Sequence, residues 1–221
     1  MQEISSNIEW LKKKLPPGVK LVAVSKNKPP EDVIAAYNTG QRCFGENRVQ
    51  ELLRKKDLLP SDIEWHLIGH LQSNKVKYIA PFISMIQSVD SLKLLRTINE
   101  EALKNDRIID CLLQVHIAEE ETKFGFGMDE LKDVLSGEDT GKYSNARICG
   151  LMGMSTLTDD MEKVRQEFRS LFNVFTSLKT GIFVSNEYFK EISMGMSGDY
   201  ETAIDEGSTM IRIGSLIFGE R

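Results

Sequence analysis

The chain has 221 residues, of which 41% are hydrophobic and 28% are charged, and its formal net charge is −5 at pH 7. This length and composition suffice for one sizeable hydrophobic core. The acidic balance, with no basic run longer than Lys12-Lys13-Lys14, argues against a nucleic-acid-binding face, and no apolar run reaches the roughly 18 residues of a membrane-spanning helix.

The first predicted element is an amphipathic helix near the N-terminus. Ile4, Ile8, Leu11 and Leu15 recur at helical spacing, and Pro16-Pro17-Gly18 ends the pattern. The segment lacks the apolar block and small-residue cleavage site of a signal peptide. We therefore expect a cytoplasmic protein.

Short apolar runs alternate with helix-period segments along the rest of the chain. Eight runs predict strands at residues 21–25, 42–45, 63–69, 83–89, 110–117, 147–152, 189–194 and 209–214. Helices are predicted at residues 30–39, 92–104, 160–179 and 199–206, and a loop is predicted over 136–145. Eight strand–helix units favour an α/β fold, a closed (β/α)8 or TIM barrel, over an open doubly wound sheet. At about 27 residues per unit the barrel is compact, so we expect residues 1–221 to form a single domain.

The three cysteines, Cys43, Cys111 and Cys149, are far apart and have no C-x-x-C pairing. Each lies in or beside an apolar, strand-like run. This pattern is typical of buried thiols in a reducing compartment, which we expect in preference to a metal site.

Functional groups of a barrel lie where its strands finish, because the loops there vary while the barrel supplies rigidity. Lys26 follows the first predicted strand, where alternation puts Val22, Val24 and Lys26 on one side. Surface charge is the ordinary interpretation of such a lysine. Arg212, in the mirror position near the other end of the chain, suggests instead that both residues meet an anionic aldehyde cofactor at the mouth of the barrel.

Arg212 alternates with Ile211 and Ile213, which suit the helix-facing side of the last strand. Arg212 is therefore expected to point into the barrel, where an unpaired guanidinium would be costly. An internal ion pair with Glu46 or Glu64 is one explanation, and a bound anion is the other.

Polar residues also occur in the second, third and fifth strands. Asn47 follows a glycine turn and offers an amide at the mouth. His66 shares a side with Ile68 and is expected to face inward, where a neutral, hydrogen-bonded core histidine is more common than a catalytic one. Gln114 and His116 fall on the inner face of the fifth strand, which predicts a polar lumen.

The ends of the last two strands predict a phosphate site. Residues 193–199 and 212–215 combine glycines, which allow close backbone approach, with the hydroxyls of Ser197 and Ser215 and the start of a following helix. Ordinary turn chemistry with a serine N-cap explains either segment alone. The two segments together favour phosphate.

Taken in order, the motifs resemble those of the pyridoxal-phosphate homeostasis proteins, a family related to the barrel domain of alanine racemase. The matching stretches are residues 21–26 (LVAVSK), 44–47 (FGEN), 65–75 (WHLIGHLQSNK), 150–152 (GLM), 193–197 (SMGMS) and 212–219 (RIGSLIFG). They span nearly the whole chain. The resemblance implies a fold-type III pyridoxal 5′-phosphate (PLP) barrel without the C-terminal β domain of the racemases.

The resemblance also implies roles for individual residues. Lys26 would be the aldimine lysine and Arg212 would face the pyridine nitrogen. Two positions depart from the family pattern, since Ser215 stands where threonine is usual and His70 where proline is frequent. Serine keeps the hydroxyl donor. The other implied cofactor-binding residues are Asn47 and Met152 along the ring, and Ser193, Met196, Ser197, Gly214 and Ser215 near the phosphate.

An arginine at the ring nitrogen stays protonated and donates, which weakens the ring as an electron sink. Alanine racemases take their second base, a tyrosine, from the additional β domain. None of the five tyrosines of this chain, at positions 37, 78, 143, 188 and 200, has an obvious route to the opposite face of the ring. We therefore expect no catalytic residues and no metal, but a protein that holds PLP on Lys26 for buffering or delivery.

Two alternatives stay open at this stage. One is a low-activity PLP-dependent amino-acid racemase with the same residues. The other is a barrel that binds a phosphorylated metabolite without PLP, with Lys26 as a charge clamp. PLP-dependent apoenzymes are the expected partners, and the compact single domain favours a monomer.

Overall fold

The computed structural model describes residues 2–119, 124–137 and 140–220. Eight parallel strands close into one barrel in chain order, with the last strand paired to the first. The strands are β1 (Lys20–Val24), β2 (Cys43–Glu46), β3 (Glu64–Leu67), β4 (Met85–Val89), β5 (Ile109–His116), β6 (Ala146–Met154), β7 (Glu191–Ser193) and β8 (Met210–Ile213). The predicted TIM barrel is therefore confirmed.

Helices surround the barrel. The α-helices are α1 (Gln2–Lys14), α2 (Pro30–Tyr37), α3 (Val49–Lys56), α4 (Val76–Ile79), α5 (Leu92–Lys104), α6 (Met128–Ser136), α7 (Met161–Thr180), α8 (Tyr200–Asp205) and α9 (Ser215–Phe218). Two 3-10 turns cover Ser73–Lys75 and Thr140–Lys142, the second inside the predicted loop. No helix in these described ranges is both long and apolar enough to cross a membrane.

Alternation along the strands separates two apolar layers. The outer layer packs against the helices and contains Ile211 and Ile213, as the pattern of the last strand predicts. The inner layer fills the lumen beneath the mouth and consists of Val22, Met85, Leu112, Cys149, Met152 and Met210. The lumen is thus apolar at its centre, so the expectation of a polar lumen is correct only in part.

Caps explain why two helices begin where the sequence predicts. Ser91 Oγ accepts a hydrogen bond from Leu94 N–H at 3.3 Å and starts α5, and Asp160 caps α7 in the same way. The main difference lies in β6, which runs two residues beyond its predicted end and carries Met154 to the mouth.

Candidate functional site

A cavity of about 340 Å³ opens at the C-terminal end of the barrel strands, where barrel enzymes and binding proteins carry their sites. This volume is in the range of small-molecule pockets. Its lining residues are Val24, Lys26, Lys28, Asn47, Ile68, Met154, Met196, Ser197, Gly198, Arg212, Gly214, Ser215, Gly219 and Glu220. Seven of the nine residues predicted to bind the cofactor are among them.

Lys26 sits in a four-residue turn directly after β1. Lys28 N–H donates to Ser25 O at 3.0 Å and closes the turn. Asn27 occupies the left-handed position with a φ of 62°, a conformation that asparagine tolerates better than most residues. The turn presents the Lys26 side chain, which is half-buried, to the cavity.

Arg212 reaches the same cavity from β8 and is 4% exposed. Its Nη1 donates to Ser193 Oγ at 2.6 Å, and its Nη2 donates to Gly153 O at 2.9 Å. Burial lowers the pKa of Arg212 to about 10, opposed by the charge of Asp199. The guanidinium therefore stays protonated at neutral pH and can donate to a ligand.

The ion pair of Arg212 with Glu46 or Glu64, one of the two explanations for an inward-pointing arginine, does not form. Glu46 is fully buried on the helix-facing side, where Lys55 Nζ donates to its Oε1 at 2.8 Å. Glu64 is exposed at the other end of the barrel. Arg212 is thus held by neutral acceptors.

Ser193 and Met152 are the two predicted residues that do not line the cavity. Ser193 is fully buried beneath Arg212, where its Oγ accepts from the guanidinium and donates to Gln87 Oε1 at 2.7 Å. It therefore supports the arginine and does not lie among the phosphate loops. Met152 is in the inner layer below the mouth, and Met154 takes the lining position two residues later.

The two predicted phosphate segments meet at one side of the cavity. Gly214 N–H donates to Ser197 Oγ at 3.3 Å, and Met196 N–H donates to Asp199 Oδ1 at 2.5 Å. Helix α9 begins at Ser215, so its first turn presents amide groups that the helix itself does not satisfy. Hydroxyls, glycines and amides together form a surface suited to a phosphate group.

The structure adds lining residues that the sequence analysis did not assign to the site. Lys28 Nζ donates to Phe218 O at 2.8 Å and to Gly219 O at 3.3 Å, which holds the residues after α9 against the mouth. Ile68 and Met154 each lie two residues beyond an inward-facing residue of a predicted strand. The period-two alternation could have identified both.

His70, which departs from the family pattern, lies outside the cavity lining. Its ring stacks on Phe124 with centroids 3.9 Å apart, and its Nδ1 lies 2.9 Å from Asp90 Oδ2. It connects the segment after β3 to the segment before α6.

A second polar group lies at the opposite end of the barrel. His66 faces inward, as predicted, and burial lowers its pKa to about 4, so it is neutral at physiological pH. Its Nδ1 lies 2.9 Å from Gln87 Nε2. Three potential metal-ligand atoms, from Cys43, Glu64 and His66, lie within 4.8 Å of one another. The Cys43 sulfur is 3.4 Å from one ring nitrogen and 3.6 Å from the other, so it faces the ring and not a lone pair.

The other two cysteines match the expectation of buried thiols. Cys111 and Cys149 are both buried, and burial raises the pKa of each thiol.

Comparisons of the sequence with known proteins identify relatives along most of the chain. The family model described as "Alanine racemase, N-terminal domain" matches residues 1–221. A relative from Aquifex aeolicus, named pyridoxal phosphate homeostasis protein, is 42% identical over 203 residues, which cover 91% of this chain and 87% of that protein. The human protein of the same name is 37% identical over 212 residues and covers 91% of this chain and 76% of its own length.

Solved structures show the same relationship. PipY from Synechococcus elongatus, with PLP bound, matches with a TM-score of 0.88 and 34% identity over 98% of this chain and 100% of PipY. Alanine racemase from Clostridium difficile matches the whole chain with a TM-score of 0.80 over 57% of its own length, and at 13% identity it shows the fold alone. The chain therefore belongs to the pyridoxal phosphate homeostasis protein family, whose barrel is that of the alanine racemase N-terminal domain.

Proposed function

We propose that the protein binds PLP, holds it on Lys26 and takes part in intracellular PLP homeostasis by buffering or delivery. The observation that carries the proposal is the meeting of Lys26, Arg212 and the Ser197–Gly214–Ser215 surface in one cavity. An amine, a cation and a phosphate-binding surface are the three groups that an anionic pyridine aldehyde requires. The names of the relatives and the PLP-bound structure of PipY support it.

PLP is the cargo in this proposal, and the chemistry is a reversible condensation. A neutral Lys26 amine would add to the aldehyde carbon and form a C=N bond, and the aldehyde oxygen would leave as water with both amine hydrogens. Asn47 and Met154 would flank the ring, and Met196, Ser197, Gly214 and Ser215 would surround the phosphate. Hydrolysis reverses the step and releases the aldehyde, so storage and delivery need no further reaction.

Arg212 favours storage over catalysis. Because its guanidinium donates, the pyridine nitrogen would accept this bond and stay unprotonated, which disfavours carbanion chemistry. No tyrosine lies among the described residues that line the cavity. We therefore propose that the protein does not turn over a substrate, that it works as a single-domain monomer in the cytoplasm, and that PLP-dependent apoenzymes receive its cargo.

The absorption spectrum of the purified protein tests the proposal, with Lys26→Ala as the comparison. We expect PLP to give the wild type a visible Schiff-base band that the variant lacks, and borohydride reduction to leave a pyridoxyl group on the peptide that contains Lys26. A wild type without the band, or an adduct on other lysines only, contradicts the proposal. Exchange of the α-proton of amino acids in deuterated water, lost in Lys26→Ala, would support the racemase instead.

A further inference from the structure

A buried ionic cluster lies behind Lys26, on the helix-facing side of β1 and β2. We call it the Lys55 cluster; it consists of Ser25, Glu46, Glu51 and Lys55. Lys55 projects from α3, and its side chain is 6% exposed. Its Nζ donates three hydrogen bonds, to Ser25 O at 2.7 Å, Glu46 Oε1 at 2.8 Å and Glu51 Oε1 at 2.7 Å. Ser25 Oγ also donates to Glu46 Oε1, at 2.6 Å.

The cluster forms hydrogen bonds with the backbone on both sides of Lys26. On one side Lys55 Nζ bonds the carbonyl of Ser25. On the other side the N–H of Asn27 donates to Glu51 Oε1 at 2.6 Å. Both peptide groups that flank Lys26 are therefore fixed by the same lysine–glutamate pair, in the turn where Asn27 adopts its left-handed conformation.

Stability alone is a weak explanation for such a cluster. A buried ion pair loses much of its Coulomb attraction to the cost of removing both charges from water, and apolar residues often serve as well. Glu46 shows this cost, because burial raises its pKa against the bonds from Lys55 and Ser25. Its Oε2 atom is also buried with no hydrogen-bond partner in the described part of the chain.

We propose that Lys55 and Glu51 are positioning residues for the PLP-holding lysine: they fix the turn so that the Lys26 amine is aimed into the cavity. The inference rests on the proposed function, because it assumes that Lys26 is the residue that condenses with PLP. Neither residue lines the cavity. They act through the backbone of Lys26, so loss of either should weaken bond formation and spare the recognition of ring and phosphate.

Two ligands separate these effects. PLP can form a Schiff base, whereas pyridoxine 5′-phosphate, with an alcohol in place of the aldehyde, can only be recognised. For Lys55→Met we expect the equilibrium constant for Schiff-base formation with PLP, measured by its visible band, to fall about tenfold or more. That is the effect of losing one hydrogen bond to a charged group. The affinity for pyridoxine 5′-phosphate should not change.

The control is Lys20→Met. Lys20 is the first residue of β1, at the opposite end of that strand from Lys26, and its Nζ forms an ion pair with the buried Glu191 at 2.5 Å. This variant removes a lysine that pairs with a buried glutamate, but away from the turn and from an exposed position, so both ligands should bind as in the wild type.

The outcomes are distinct. If Lys55→Met weakens both ligands equally, or neither, the cluster is a structural support only and the inference is wrong. If the wild type forms no Schiff base, the proposed function fails instead. Should Lys55→Met not fold, as judged by circular dichroism, the partly exposed position 51 gives the test. Glu51→Ala should lower Schiff-base formation selectively, and Glu51→Gln, which keeps an acceptor for Asn27 N–H, should restore most of it. Equal behaviour of these two variants overturns the inference.

Discussion

Replacing Ser193 with alanine tests how the barrel holds a buried arginine without a carboxylate. The substitution removes the oxygen that accepts from Arg212 Nη1 at 2.6 Å and that donates to Gln87 Oε1 at 2.7 Å. A hydrogen bond to a charged group contributes about 1.5–3 kcal/mol, and Arg212 is 4% exposed, so little solvent is available to replace the lost acceptor. The bond from Nη2 to Gly153 O remains. We expect Ser193→Ala to lower the free energy of unfolding by about 2–3 kcal/mol.

Urea unfolding at neutral pH measures this loss, and Ser208→Ala is its matched control. Ser208 is also buried, but the acceptors near its Oγ are neutral backbone carbonyls, of Met194 at 2.8 Å and Met210 at 3.0 Å, and its single hydrogen donates to one of them. Such bonds contribute about 1 kcal/mol. If the two variants lose the same free energy of unfolding, at an unchanged slope against urea concentration, then the Ser193 hydroxyl gives the charged Arg212 no more stability than a neutral hydrogen bond would, and the reasoning is refuted.

Two further predictions concern pH and backbone strain. Burial lowers the pKa of His66 from 6.5 to about 4, so the unfolded chain binds this proton first as the pH falls. The free energy of unfolding should therefore drop by about 3 kcal/mol from above pH 6.5 to below pH 4 on account of His66. In urea titrations, His66→Gln should remove that part of the pH dependence. If the free energy of unfolding falls with pH equally in the wild type and the variant, the prediction is contradicted. Gly195 has a φ of 94°, and a Cβ there would lie 2.6 Å from the Ala203 side chain. Gly195→Ala should lower the free energy of unfolding by at least about 2 kcal/mol. Gly40→Ala should lower it by about 1 kcal/mol, because Gly40 has a φ of 81° but nothing lies within 4 Å of an added Cβ. Equal melting temperatures of the two variants would argue against a tight fit at Gly195.

Side-chain direction was the part of the site that sequence reasoning predicted well. Strand alternation predicts Arg212 inside the barrel and Ile211 outside, and puts Val22 on the side of Lys26; the structure agrees because β1 and β8 pair without a register shift. The same rule could have prevented the error at Glu46. Glu46 shares a side with Phe44, whose large apolar ring belongs against a helix, so its carboxylate could not reach the lumen.

Depth within the barrel was not predictable in the same way. Met152 and Ser193 both point inward, but they lie one layer below the mouth. Depth depends on strand tilt and on where each strand ends, which are set by packing between strands that are distant in sequence. At β6 the strand extends beyond its predicted end, so Met154 takes the position assigned to Met152. The Lys55 cluster was missed for a related reason, since only the packing of α3 on the barrel brings Lys55 to the turn of Lys26.

The backbone of Lys26 and the guanidinium of Arg212, the two cations at the mouth, are fixed by different contacts among the described residues. Lys26 is held from outside the barrel by α3, whereas Arg212 is held from within the lumen by Ser193 and the backbone of Gly153. The two cations at the mouth of the barrel can thus be altered through separate sets of contacts. Under the proposed function, the partner of the ring nitrogen could be redesigned through the lumen alone, for instance to introduce an acid that favours catalysis, while the lysine proposed to hold PLP keeps its native geometry.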